Sequence, residues 1–146
     1  MKQEAFRKLF PEPDYAEMTA RLRRPTGKVD AILDTDTYNE VDDQFALAYL
    51  LRSPESVNLR AITAAPFYRN PKEGISRSSD PADGMEKSYH EILKVLRLAG
   101  REDLCEHVYR GSTRYLPDEL TPVESQAARK ILELSREYDE KNPLYI

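Results

Sequence analysis

An alternation of apolar segments constrains the fold of this chain more than any other feature. Residues 29–33 form a short, mainly apolar run that suits a buried strand. The segment from Asp42 is apolar almost all round and stops at Ser53-Pro54, as expected for a helix packed between a sheet and other elements. Residues 57–62 give a second strand-like run. Strand, helix and strand in this order predict the right-handed crossover unit of a parallel sheet.

The central part of the chain continues the alternation. Residues 66–80 hold two prolines, a glycine and several serines, and predict a loop of a length that usually serves binding or gating. An apolar stripe over residues 85–99 predicts a helix that begins within residues 81–84 and is capped by Gly100. Residues 107–109 predict a short strand.

The last helix has the clearest capping signal. Thr121 would be the capping hydroxyl, Pro122 the first helical residue and Glu124 the capping-box glutamate three residues after the cap. The apolar face of this predicted helix consists of Val123, Ala127, Ile131, Leu134 and Tyr138. Residues 144–146 resemble the first residues of another strand.

These elements predict an α/β fold with an open, mainly parallel, Rossmann-like sheet and flanking helices. At 146 residues the chain suits one domain, which we expect over residues 28–146. Residues 1–27 are polar and rich in proline, and we interpret them as an N-terminal extension with one helix-like piece at residues 15–22.

The composition excludes several classes of protein. No apolar run is long enough for a membrane helix, and the net charge of -4 comes from interspersed acids and bases, so nothing suggests a nucleic-acid partner. A single cysteine, Cys105, excludes an internal disulfide and suits a reducing compartment. The first residues lack the apolar core of a signal peptide, so we expect a cytoplasmic protein.

Four carboxylates within ten residues form the strongest functional candidate. Asp34 and Asp36 lie at the carboxyl end of the predicted first strand, where open parallel sheets bind ligands, and Asp42 and Asp43 begin the next helix. Such a cluster repels itself unless a cation neutralises it, and carboxylate oxygens suit Ca²⁺ or Mg²⁺ better than zinc. The alternative is an ordinary Asp turn followed by a helix cap, without a ligand.

Residues 34–51, DTDTYNEVDDQFALAYLL, resemble the opening fingerprint of the inosine-uridine-preferring nucleoside hydrolases. In that family a strand delivers Asp-x-Asp and the following helix begins with Asp-Asp. Residues 83–101, 108–112 and 121–135 are similar to the family in order and spacing, so the resemblance covers residues 28–146. The family's remaining calcium ligand and its leaving-group histidine belong to a C-terminal half. We therefore expect this chain to correspond to the N-terminal half, apparently truncated at the C-terminus.

The resemblance implies Ca²⁺ as the cofactor and a ribonucleoside as the substrate. Asp36 would bind calcium and take the proton of the water that attacks the anomeric carbon. Asp43 would bind calcium, and Asp42 would bind both calcium and the ribose hydroxyls. Asp34 would support the cluster.

Two departures from the family pattern concern substrate contacts. The family has three residues between its acidic pairs, whereas Thr37–Val41 makes five, and this longer loop would place Tyr38 and Asn39 beside the ribose. The family also carries Gly-Asn after its second strand, where residues 65–67 here read Ala-Pro-Phe. Asn70 is the candidate substitute for that ribose contact.

Other interpretations remain open. Asp34-Thr35-Asp36-Thr37 approaches the first motif of haloacid-dehalogenase-type phosphatases, in which Asp34 would be the nucleophile and Asp36 the acid, but that interpretation leaves Asp42-Asp43 unexplained. The chain could instead be an inactive fragment that acts as a binding or interaction module. An incomplete sheet exposes an edge, so a homo-oligomer or a complementing C-terminal half is a possible partner.

Overall fold

A parallel three-stranded sheet forms the centre of the computed structural model, which describes residues 14–70 and 77–146. Its strands lie in the order β1, β2, β3. The strands are β1 (Val29–Thr35), β2 (Val57–Ala64) and β3 (Val108–Arg110). The helices are α1 (Tyr15–Arg21), α2 (Asp42–Leu51), α3 (Pro81–Leu98) and α4 (Gln126–Ser135), with a 3₁₀ helix at Glu102–His107. This arrangement confirms the predicted α/β fold.

The carboxyl ends of the three strands meet at one edge of the sheet. Thr35 is in register with Ala64, and Ala64 with Arg110. Beyond the strands, the Gly111 amide donates to the Ala64 carbonyl at 3.0 Å. A Cβ atom at Gly111 would lie 2.1 Å from that carbonyl oxygen, so only glycine allows the approach. Segments that follow the strands are therefore brought close together.

Apolar cores lie on both faces of the sheet. On one face, α2 and α3 pack against β2 and β3; this core consists of Leu47, Leu51, Ile62, Ala64, Met85, Ile92, Leu96 and Val108. On the other face, Leu134 of α4 packs against Ile32 and Ala61. Alternation of side chains along β2 sends Ala61 and Ile62 to opposite cores, as expected for a strand buried on both sides.

Helix α3 begins and ends as its sequence predicts. Asp80 accepts a hydrogen bond from the Asp83 amide at 2.9 Å, and Pro81 occupies the first turn. Gly100 has a φ of 67°, the left-handed conformation of a helix-ending glycine. Within the helix, a Cβ atom at Gly84 would lie 1.9 Å from the Phe67 carbonyl oxygen. Glycine thus lets α3 support the segment after β2.

The predicted start of the last helix is wrong. Helix α4 begins at Gln126, and its cap is Ser125, whose hydroxyl accepts a hydrogen bond from the Ala128 amide at 3.0 Å. Thr121 belongs instead to a local turn, because the Asp118 carboxylate accepts hydrogen bonds from both its amide and its hydroxyl. Tyr138, which is predicted on the apolar face of this helix, lies beyond its end at Ser135.

The prediction that α2 packs between the sheet and other elements holds for the inner side of the helix only. Only Leu47 and Leu51 are fully buried, whereas Phe45 and Tyr49 are 71% and 73% exposed. The described residues place the sheet and α3 on the inner side of the helix and leave its outer side to solvent.

The remaining predictions concern the chain termini and two boundaries. Helix α1 confirms the predicted helical piece, and β1 extends one residue beyond Asp34. Tyr145 makes a parallel bridge with Ala31, on the free side of β1, as the predicted strand at residues 144–146 requires. Of the predicted loop, residues 71–76 lie outside the described residues. In the two described stretches, no helix has the length and apolar character needed to cross a membrane.

Candidate functional site

Thr35 connects the end of β1 to the start of α2. Its buried hydroxyl donates a hydrogen bond to Oδ1 of Asp43 at 2.5 Å and lies 3.0 Å from the hydroxyl of Thr37. Thr37 is completely buried. Because these hydroxyls occupy fixed positions beneath the acidic residues, the carboxylate of Asp43 is held at the carboxyl end of the sheet.

Asp36 and Asn39 form a tight turn at the start of the loop Thr37–Val41. The Asn39 amide donates to the Asp36 carbonyl at 2.7 Å, and the Asn39 side-chain amide donates to Oδ2 of Asp36 at 2.9 Å. The longer loop therefore folds back on Asp36, and Asn39 orients its carboxylate.

The carboxylates of Asp36 and Asp43 are near enough for Asp36 to disfavour the ionised form of Asp43. Burial raises the pKa of Asp43 above its ordinary value, the hydrogen bond from Thr35 opposes this increase, and the neighbouring charges of Asp36 and Asp42 add to it. Neighbouring negative charges that disfavour the ionised form of Asp43 are an arrangement that a bound cation relieves.

Asp42 and Asp34 are placed differently from this pair. Asp42 lies in the first turn of α2 and its side chain is exposed. Asp34 points to the α4 side of the sheet, where its Oδ1 accepts a hydrogen bond from the Thr63 hydroxyl at 2.6 Å. Asp34 also lines a cleft of about 190 Å³ with Ser112 and Ser125. The structure thus brings Asp36, Asp43 and Asn39 together, whereas the side chain of Asp34 bonds to Thr63.

Contacts between two loops enclose one side of the acidic pair. The rings of Tyr38 and Phe67 are stacked with their centroids 6.4 Å apart. Arg69 donates a hydrogen bond to the Asn39 carbonyl at 3.3 Å and lies 3.6 Å from the Glu40 carboxylate. These contacts hold the loop Thr37–Val41 against the segment that follows β2.

Ser78 closes that segment upon itself. Its hydroxyl accepts from the Arg69 amide at 2.8 Å and donates to the Phe67 carbonyl at 3.2 Å. Asn70 follows directly, with an exposed side chain at the border of the described region. Its position next to Arg69 places its backbone in the loop that flanks the acidic pair.

The fit of these residues to calcium is partial. Asp36 and Asp43 offer hard oxygen atoms in one place, and Asp42 is adjacent in sequence to Asp43. However, no group of three or more His, Cys, Asp or Glu side chains in residues 14–70 and 77–146 is arranged to hold a metal ion. Calcium takes six to eight oxygen ligands, so water, substrate hydroxyls or another protein segment would supply the others.

Sequence reasoning missed Thr35 and Arg69 as parts of the site. Thr35 carries a signal, because a threonine that ends a buried strand between two aspartates has few apolar neighbours to pack against and needs a polar partner. No sequence signal marks Arg69, since its contact with Asn39 joins residues thirty positions apart.

Comparisons of the chain with protein-family models, with curated proteins and with solved structures find no match.

Proposed function

We propose that this chain carries the calcium and ribose end of a site that hydrolyses the N-glycosidic bond of ribonucleosides to ribose and free base. The observation that supports the proposal best is the Asp36–Asp43 pair at the carboxyl end of β1, with the raised pKa of Asp43. Residues that resemble the nucleoside hydrolase fingerprint are thus close together in space as well as in sequence. Asp36 and Asp43 would hold the ion.

Each residue has a defined task in this chemistry. A calcium ion, when bound, supplies the positive charge that makes a nearby water more acidic. Asp36 accepts the proton of that water, and Asn39 keeps the Asp36 carboxylate oriented through its hydrogen bond at 2.9 Å. The ribosyl group develops positive charge as its bond to the base breaks, and the neighbouring carboxylates stabilise that charge. The exposed side chain of Asp42 is available to the ribose hydroxyls.

The test is release of reducing sugar from inosine, uridine, adenosine and cytidine, with calcium and with a chelator. We expect calcium-dependent release that falls by about 10²–10⁴-fold in Asp36→Asn, as is usual for loss of a general base. Asp103→Asn is the matched control, because Asp103 is exposed and pairs with Arg101 away from the site. Full activity in Asp36→Asn would show that Asp36 is not the base.

A parallel measurement of calcium binding separates the alternatives. Calcium that raises the melting temperature of the parent chain without any sugar release would identify a binding module. Release of phosphate from p-nitrophenyl phosphate that is lost in Asp34→Asn would identify a phosphatase instead. The Asp34 carboxylate already accepts a hydrogen bond from Thr63, an arrangement that favours the hydrolase.

A further inference from the structure

Helix α2 carries an apolar stripe on its outer face. Val41, Phe45 and Tyr49 recur every four residues, so they lie on one side of the helix, and all three are exposed. We call these residues the α2 stripe. It lies opposite Leu47 and Leu51, which pack into the core. A helix with apolar residues on two faces is typical of an element that is covered on both sides.

A second apolar stripe lies on helix α1. Tyr15, Met18 and Leu22 are spaced as one helical face, and Tyr15 and Leu22 are 77% and 78% exposed. We call them the α1 stripe. Every side chain described in residues 15–20 is exposed. A helix of seven residues is too short to be stable in water by itself, so α1 needs a surface to pack against.

We propose that α1 of a second copy of this chain packs on the α2 stripe, and that the exchange is reciprocal. The two stripes match in length: at 1.5 Å per residue, the α1 stripe spans roughly 10 Å and the α2 stripe roughly 12 Å. One contact, repeated by a two-fold axis, would cover all four exposed stripes of the pair.

Charges give the direction of packing. Each helix has acidic residues at its start and basic residues at its end. These residues are Asp14 and Glu17, then Arg23 and Arg24, for α1, and Asp42 and Asp43, then Arg52, for α2. Among the described residues, Arg52 has no ion-pair partner. Antiparallel packing places opposite charges together at both ends, whereas parallel packing would place like charges together.

The short connection from α1 to β1 favours packing of α1 on the α2 stripe of a second copy over packing on the α2 stripe of its own chain. Lys28 lines the same cleft as Leu50 and Leu51, at the carboxyl end of α2. Antiparallel packing in the same chain would place the end of α1 near the start of α2. That position lies about 15 Å from Lys28 along the α2 axis and 8–10 Å outward from that axis. Together these displacements amount to about 17 Å. The six steps from Leu22 to Lys28 span roughly 20 Å only when fully extended, and Gly27, with a φ of 88°, bends the chain. Taut connections of this kind favour exchange between copies.

Sedimentation velocity of the full chain over a range of concentrations tests the proposal. We expect a monomer–dimer equilibrium whose dissociation constant rises at least tenfold in Phe45→Gln and in Met18→Gln. Leu132→Gln is the control, because Leu132 is an exposed leucine on α4 and should leave the equilibrium unchanged. A parent chain that stays monomeric, or equal effects in all three variants, would overturn the proposal.

Disulfide trapping identifies the contact. In a Cys105→Ser background, chains with Met18→Cys mixed with chains carrying Phe45→Cys should give a dimer-sized product on oxidation, and neither variant should do so alone. A product from Phe45→Cys alone would show that two α2 helices meet. When both substitutions are in one chain, a monomer-sized crosslinked product would show that α1 packs on its own α2. Either result would reject the exchange.

Discussion

At the residue scale, the carboxyl end of β1 combines fixed hydroxyls with a strained pair of charges. Thr35 donates a hydrogen bond to Asp43, Asn39 donates one to Asp36, and Asp36 is near enough to disfavour the ionised form of Asp43. The hydrogen bonds orient the oxygens, while burial and the neighbouring charges of Asp36 and Asp42 disfavour the ionised form of Asp43 and raise its pKa. This arrangement lowers the free energy of unfolding of the chain, which is typical of residues kept for binding or catalysis.

We therefore predict that Asp43→Asn stabilises the calcium-free chain at pH 7. The variant removes the repulsion from Asp36, while its side-chain oxygen can still accept the hydrogen bond from Thr35. Calcium should raise the melting temperature of the parent chain and have little effect on the variant. Thermal unfolding with a chelator and with added calcium checks both parts, and a variant that is less stable than the parent in the chelator would contradict the prediction.

At the element scale, the start of α4 shows that a sequence that fits a helix cap can form a turn instead. Thr121-Pro122-Val123-Glu124 fits a capping box in every position, yet the helix begins five residues after Thr121. The amide and the hydroxyl of Thr121 both donate hydrogen bonds to the Asp118 carboxylate, so this hydroxyl does not cap the helix. Ser125 is followed directly by the face that contains Ala127 and Leu134, which are buried against the sheet. Packing of that face selects the later start.

Ser125→Ala should destabilise the chain by about 1 kcal/mol, the usual cost of losing a helix cap. The reason is that the Ala128 amide loses its partner at 3.0 Å. Thr121→Ala should cost less, because it removes an exposed turn contact. Urea unfolding of the two variants side by side measures the difference, and the reverse order would support a helix that begins at Thr121.

At the scale of the whole molecule, a polar cluster ties the end of the chain to the amino end of the sheet. The Tyr138 hydroxyl donates to Oδ2 of Asp30 at 2.6 Å, and Arg60 bonds to Asp30, to Tyr138 and to Glu137. Burial and Asp30 raise the pKa of Tyr138 to about 12. Bonds from Tyr138, then Asn58 and Arg60, lower the pKa of Asp30 despite its partial burial.

Tyr138→Phe should destabilise the chain by roughly 1–2 kcal/mol at pH 7, because Asp30 loses a hydrogen bond to its charged form. Since the pKa of Asp30 is lower in the folded chain, its contribution is present above its ordinary value of 3.8 and is lost as the pH falls below it. The difference between parent and variant should therefore shrink below about pH 4. Urea unfolding at pH 7 and pH 3 measures it, with Tyr145→Phe as the control.

The sequence alone determined the strand–helix–strand order, α3 with both of its ends, and the meeting of Asp36 with Asp43. These features depend on periodicity and on residues a few positions apart, which act before any tertiary contact forms. The tertiary structure decided the contact of Asp34 with Thr63, the exposed outer face of α2 and the contact of Tyr138 with Asp30 across 108 positions. Such features depend on which surfaces meet when the chain packs, and no local pattern carries that information.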